Sequence, residues 1–204
     1  NCYNRMGETQ KALLDYSMAI RIDNKTAAYY EHRGMCYKKL GNYEESVKDY
    51  TNAIRLESSN GAFYFNRAIA YMHLTPPDYE KALEDYNLAV QMSQSKWKPL
   101  YNRGNCLRKM GRVAESVTDL KQAVELEQSK PESHNNLGLS YLEMGKLEDA
   151  VECFRYQHIK IIIIGLGCLI NRSLLTRTHT PATPFSSTRP ATQTLQPCTT
   201  TTAG

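Results

Sequence analysis

Along residues 1–156, apolar and small residues recur at three- and four-residue steps, the interval of one helix face. One run carries Tyr30, Gly34, Tyr37 and Leu40 and is followed by Gly41-Asn42. A second carries Val47, Tyr50, Ala53 and Ile54. Glycine at the break can take the left-handed conformation that ends a helix, so the pattern predicts helical hairpins. It also repeats. His32-Arg33-Gly34 returns as Asn66-Arg67-Ala68, Asn102-Arg103-Gly104 and Asn136-Leu137-Gly138, at offsets of 34, 36 and 34. Four further columns keep the phase. They run through Gly7, Gly41, Thr75, Gly111 and Gly145; Ala12, Ser46, Ala82, Ser116 and Ala150; Tyr16, Tyr50, Tyr86, Leu120 and Phe154; and Ala19, Ala53, Ala89 and Ala123. The two additional residues of the third unit fit a turn at Pro76-Pro77, with Thr75 expected to cap the next helix and a proline in its first turn. The column Cys2, Cys36, Ala70, Cys106 and Ser140 makes the cysteines small packing residues.

These columns resemble the tetratricopeptide repeat. That family's order of a large residue, Leu-Gly, Tyr, Gly, Ala, an aromatic and Ala is met by Tyr30, Gly34, Tyr37, Gly41, Tyr50 and Ala53. It is met again by His134, Leu137, Gly138, Tyr141, Gly145, Ala150 and Phe154. The sequence departs from it at the loop proline, which is Asn24, Ser58, Gln94 and Gln128, and at Ser46 and Ser116, where Ala is usual. The resemblance covers residues 1 to about 156 and implies an all-α fold, a right-handed α-solenoid of helix-turn-helix units. The units fall near residues 1–26, 27–60, 61–96, 97–130 and 131–156, about four and a half repeats. Each buries its apolar face only against its neighbours. The first lacks most of its first helix, so Leu13, Tyr16 and Ile20 are expected to be uncovered and that end to fray.

The pattern stops at Phe154, and Gln157 stands where Ala is expected. Ile159 to Ile170 is apolar apart from Lys160 and two glycines. As a helix it spans about 18 Å, short of a bilayer core of about 30 Å. Residues 157–172 are expected to extend the last helix over the open end; left exposed, their four consecutive isoleucines are an aggregation hazard. Residues 173–204, rich in Thr, Pro and Ser, are expected to be a disordered tail. The abrupt change reads as an alternative or read-through C-terminus on a truncated product, and Asn1 as a start inside a longer chain.

At 204 residues with 41% hydrophobic and 23% charged, the chain is not collagen-like, polytopic or wholly disordered. Residues 1–152 hold all 21 acids and 20 bases, a net −1, and residues 153–204 hold five bases and no acid. The net +4 therefore gives no warrant for a nucleic-acid partner. A membrane partner is not expected either. The six cysteines form no C-x-x-C pair, which points to free thiols in a reducing, cytoplasmic compartment. Gly165-x-Gly167 lacks the third glycine of a phosphate loop. The pairs Glu44/Glu45, Glu84/Asp85 and Glu148/Asp149 recur as solvated charges at the start of second helices. The histidines have no nucleophile or ligand partner at a known spacing. No enzyme activity, cofactor or metal is expected.

The resemblance implies that the first helices line a concave, peptide-binding face. Carried over column by column, that face holds His32, Lys38, Lys39, Phe65, Asn66, Ile69, Met72, Lys98, Tyr101, Asn102, Asn105, Arg108, Lys109 and Asn136. The row His32, Asn66, Asn102 and Asn136 either pairs with both groups of an extended peptide backbone or merely tolerates a half-buried site. Phe65, Ile69, Met72 and Tyr101 offer an apolar centre among bases, suited to an apolar anchor with acidic neighbours. The clamp that chaperone-docking members use for a C-terminal carboxylate is only partly present. One register supplies Asn105 and Asn136, with Tyr101 in place of Lys. The other supplies Asn66 and Lys98, with Glu31, Met35 and Asn102 in place of Lys, Asn and Arg. The expected function is a non-enzymatic scaffold that binds an extended peptide of a protein partner. The alternatives are a co-chaperone adaptor for Hsp70 or Hsp90 tails and a targeting arm of a larger enzyme.

Overall fold

A computed structural model describes the backbone of residues 2–155 and the side chains of residues 7–155. Those residues form helices α1 (Cys2–Ile22), α2 (Ala27–Lys39), α3 (Tyr43–Leu56), α4 (Gly61–Met72), α5 (Tyr79–Met92), α6 (Trp97–Lys109), α7 (Val113–Leu126) and α8 (Pro131–Glu143), and α9 over residues 147–155. The described residues contain no strand. The segments assigned above to 157–172 and 173–204, with the proposed altered C-terminus, lie outside them.

Each hairpin closes on one carbonyl near the end of its first helix. Gly41 takes φ 81°, a value that costs glycine little and other residues more. The N–H of Asn42 then donates to the Tyr37 carbonyl at 2.9 Å. Arg112 on Leu107 and Lys146 on Tyr141 repeat this bond, each at 2.9 Å. The third unit reaches the equivalent Tyr71 carbonyl from Asp78, at 3.1 Å, with two more residues in the loop. The inserted residues lie at the prolines, as expected. The cap does not: Asp78, not Thr75, accepts from the Lys81 N–H at 3.1 Å, and α5 starts after both prolines. Gly7 forms no turn at all, and α1 passes through it unbroken.

The small columns are the places of closest approach. Ser46, Ala53, Ala82, Ala89, Ser116, Ala123 and Ala150 are completely buried. A methyl group on Gly104 would lie 2.8 Å from Leu120 Cγ, too close for an unshifted core. Facing them, Tyr50, Tyr86 and Leu120 are buried to 0–1% exposure. Burying such a side chain contributes roughly 1.5–3 kcal/mol. The Ser46 hydroxyl spends its donor on the Gly34 carbonyl at 2.9 Å, which makes serine an acceptable substitute for alanine here.

Successive helices pack in series, and α2 meets α4, α4 meets α6, and α6 meets α8. Helices α3, α5 and α7 do not meet one another. Convergence of the first helices and separation of the second helices curve the array, with the first helices inside. This is the α-solenoid anticipated from the repeats. An open wedge of about 320 Å³ separates α5 from α7 on the outer side, with Leu83, Asn87, Arg112 and Thr118 among its walls.

A second pair of columns went unread in the sequence. Arg33, Arg67 and Arg103 each grip an aspartate of their own second helix with two hydrogen bonds. The bonds run to Asp49 at 2.8 and 2.7 Å, to Asp85 at 2.7 and 2.8 Å, and to Asp119 at 2.6 and 2.7 Å. The remaining guanidinium nitrogen reaches back to the preceding second helix, at Ser17, Thr51 and Asn87. Hydrogen bonds to these carboxylates raise all three arginines above the ordinary guanidinium range. In the last unit Leu137 and Cys153 occupy the same positions and join one apolar cluster.

Candidate functional site

The Arg–Asp pairs fix the rotation of α2, α4 and α6. Residue 66 or 102 stands one position before the paired arginine, about 100° around the helix. That turn places the Asn row on the inner side. His32, Asn66, Asn102 and Asn136 are all half-buried there.

Their amides are already engaged. Asn66 Nδ2 donates to the Ala62 carbonyl at 2.9 Å, and its oxygen accepts from Lys38 Nζ at 2.7 Å. Asn102 Nδ2 donates to the Lys98 carbonyl at 3.0 Å. Asn136 Nδ2 donates to the Tyr101 hydroxyl at 2.7 Å. The row thus tethers neighbouring first helices at two of its points. An incoming backbone would have to exchange these bonds one for one, which keeps the net gain of each small. His32 contributes no amide and lies 5.3 Å from the Tyr16 ring.

The expected basic rim is divided. Lys39, Lys98 and Lys109 are exposed. Lys38 is half-buried, and burial, with Lys39 alongside, pulls its ammonium below the ordinary value. Arg108 is paired with Glu143 of the next unit at 2.7 Å, so its charge is largely neutralised within the chain. The Asn105 side-chain oxygen and Arg108 Nε are buried without a hydrogen-bond partner. Phe65, Ile69 and Met72 pack against the buried cluster of Ala68, Ala82, Tyr86 and Cys106. They supply a floor more than a free anchor. His73, the residue after α4, stacks on Tyr43 at 5.0 Å.

One element of this surface was not anticipated. Trp97 opens α6, with Lys98 Nζ 5.7 Å and Lys130 Nζ 5.6 Å from its ring centre and Tyr101 stacked obliquely at 6.5 Å. Between Trp97, Pro99, Phe65 and Ala62 lies a pocket of about 230 Å³. No repeat column contains this tryptophan, because the equivalent positions are Ala27, Gly61 and Pro131. Its being the only tryptophan of the chain was the available signal. Among the described residues no three His, Cys, Asp or Glu side chains gather as a metal site, and no helix is long and apolar enough to cross a membrane.

Family models described as "Tetratricopeptide repeat" and "TPR repeat" match residues 27–60 and 104–145. These two stretches are tetratricopeptide repeats. The matched stretches contain the second hairpin, the C-terminal part of α6 and all of α8, including Asn105, Arg108 and Asn136. Heat shock protein STI1 of Saccharomyces cerevisiae is 30% identical over 77 residues, 37% of this chain and 13% of the STI1 chain. The match thus spans only a small part of that relative. Among solved structures, MamA superposes with a TM-score of 0.73 at 15% identity, over 79% of this chain and 94% of MamA. That likeness bears on the fold alone. The first TPR of Spaghetti (RPAP3), bound to the HSP90 peptide SRMEEVD, superposes with a TM-score of 0.56 at 28% identity, over 60% of this chain and 96% of the other.

Proposed function

We propose that this tetratricopeptide array is a non-enzymatic scaffold that holds an extended peptide segment of a partner protein along its first-helix face. The observation that carries this is the inward convergence of α2, α4, α6 and α8. It brings the Asn row, the Trp97 pocket and three exposed lysines onto one curved surface. The free thiols of Cys36, Cys106 and Cys153 fit a reducing, cytoplasmic setting. The test is selection of peptides from a random library on the whole chain. Asn66→Ala combined with Asn102→Ala should weaken the selected peptides at least fivefold, with the helical circular-dichroism signal at 25 °C retained despite the lost Lys38 tether. Thr118→Glu on the outer face should leave them alone. Equal binding by wild type and the double variant would overturn the reading.

A second reading is favoured by the two chaperone-related likenesses. STI1 is a heat shock protein by name, and the Spaghetti domain holds an acidic HSP90 peptide. A co-chaperone role for this chain would use Asn66 and Lys98, opposed by Glu31. Full affinity for a free-acid chaperone tail, lost on amidation, would favour it over the first.

A further inference from the structure

We infer that the pocket between α4 and α6 takes the apolar side chain of an internal acidic segment, and that Lys98 and Lys130 read the flanking carboxylates. This rests on the peptide-groove reading above and specifies its ligand.

Residues 86–114 contain six bases and no acid. They run from the middle of α5 through the loop and α6 to the start of α7. Three of these bases are neutralised in place. Arg103 is held by Asp119, Arg108 by Glu143 and Arg112 by Glu115. Lys96, Lys98 and, from the next hairpin, Lys130 enter no salt bridge among the described residues. Lys98 and Lys130 instead hold their ammonium groups against the Trp97 ring, each under 6 Å from its centre. Positive charge is thus concentrated, and left unpaired, around one aromatic plate.

The pocket beside that plate has walls of indole, Phe65 and Pro99 with Ser93 and Ser95 at the mouth. Its volume of about 230 Å³ is below that of ordinary small-molecule sites, about 300–1,000 Å³, and suits a single side chain. An aromatic-lined recess ringed by cations selects an apolar anchor between acidic neighbours, since anchors supply affinity and ring charges supply steering and register. Lysines are point charges without the bidentate fork of arginine, so nothing in this cluster singles out a terminal carboxylate. A capped internal segment meets the same chemistry as a free tail.

The single tryptophan makes the test direct. The probe is the acetylated, amidated peptide Asp-Glu-Leu-Asp-Glu carrying a fluorophore, titrated with the whole chain. Anisotropy should rise while Trp97 emission changes with the same midpoint. Replacing the probe's Leu by Ala should weaken binding at least tenfold. Lys98→Glu with Lys130→Glu should do the same, as should Ala62→Phe, which fills the pocket from an exposed position. Removing the amide cap should change affinity less than threefold. The inference falls if no probe binds, if the Leu-to-Ala probe binds equally, or if Trp97 emission stays constant at saturation. In the last case, loss of binding in the Asn66/Asn102 double variant would show that the groove reading survives while the anchor does not.

Discussion

Tyr50 and Tyr86 expose almost none of their surface, and burial drives both phenols above their ordinary range. Burial also pushes the Cys106 thiol up to about 11 and raises Cys36 and Cys153. In the unfolded chain these groups ionise near their ordinary values, about 8.5 for cysteine and about 10 for tyrosine. Above those values the unfolded state sheds protons that the folded state retains. Stability is therefore complete below about pH 8.5 and falls as pH rises toward the folded values, by at most about 1.4 kcal/mol per pH unit for each of the strongly shifted Tyr50, Tyr86 and Cys106. Thermal melts should show a flat midpoint from pH 7 to 8.5 and a steep decline by pH 10.5. Tyr86→Phe should soften the decline; an alkaline limb identical to wild type would show that Tyr86 does not contribute.

At the scale of the helical elements, the Arg–Asp pairs hold three of the hairpins together and join each to the one before. Breaking a buried pair leaves an uncompensated charge and costs about 3–5 kcal/mol. Here the arginines keep about a fifth of their surface exposed, so about 2–3 kcal/mol is expected for Asp119→Ala. Arg103→Leu with Asp119→Ala should restore most of that loss, because Leu137 and Cys153 already fill the equivalent positions in the last unit. Chemical denaturation of the two variants would check it, and a double variant no better than Asp119→Ala would refute it. Both columns stood in the sequence at the repeat spacing. Their coupling was not legible, because partners 16 or 18 residues apart on different helices meet only once the hairpin closes. The apolar and small columns were legible for the opposite reason, since each needs only its own helix face to be recognised.

Across the whole array, stability is a sum of units and nearest-neighbour interfaces. The central units have neighbours on both sides. In α1, by contrast, Leu14, Met18 and Ile22 are 64%, 61% and 87% exposed. The sequence pointed to Leu13, Tyr16 and Ile20 as the uncovered face. Those three are half-buried instead, with Ile20 on the cluster of Tyr30, Ala53 and Phe63. The exposed residues lie one or two positions further along α1, about 100–200° around the helix. Amides of residues 8–22 should exchange at least a hundredfold faster than those of α5 and α6, because local opening there disrupts only one interface. Uniform protection from end to end would contradict a serial array. The groove was legible as a surface and much less so as a site. Repeat columns identify what faces inward, but not which amide a neighbour already occupies, as with Asn66 and Lys38.

The third hairpin adds one consequence. Asp78 reaches the Tyr71 carbonyl across a loop two residues longer than its counterparts, and the helices on either side still stack. Registration between units is thus governed by an anchoring acceptor and not by chain length. The Pro76-Pro77 junction is a natural splice point: an epitope tag or a cross-linking residue grafted there should leave the inner surface undisturbed.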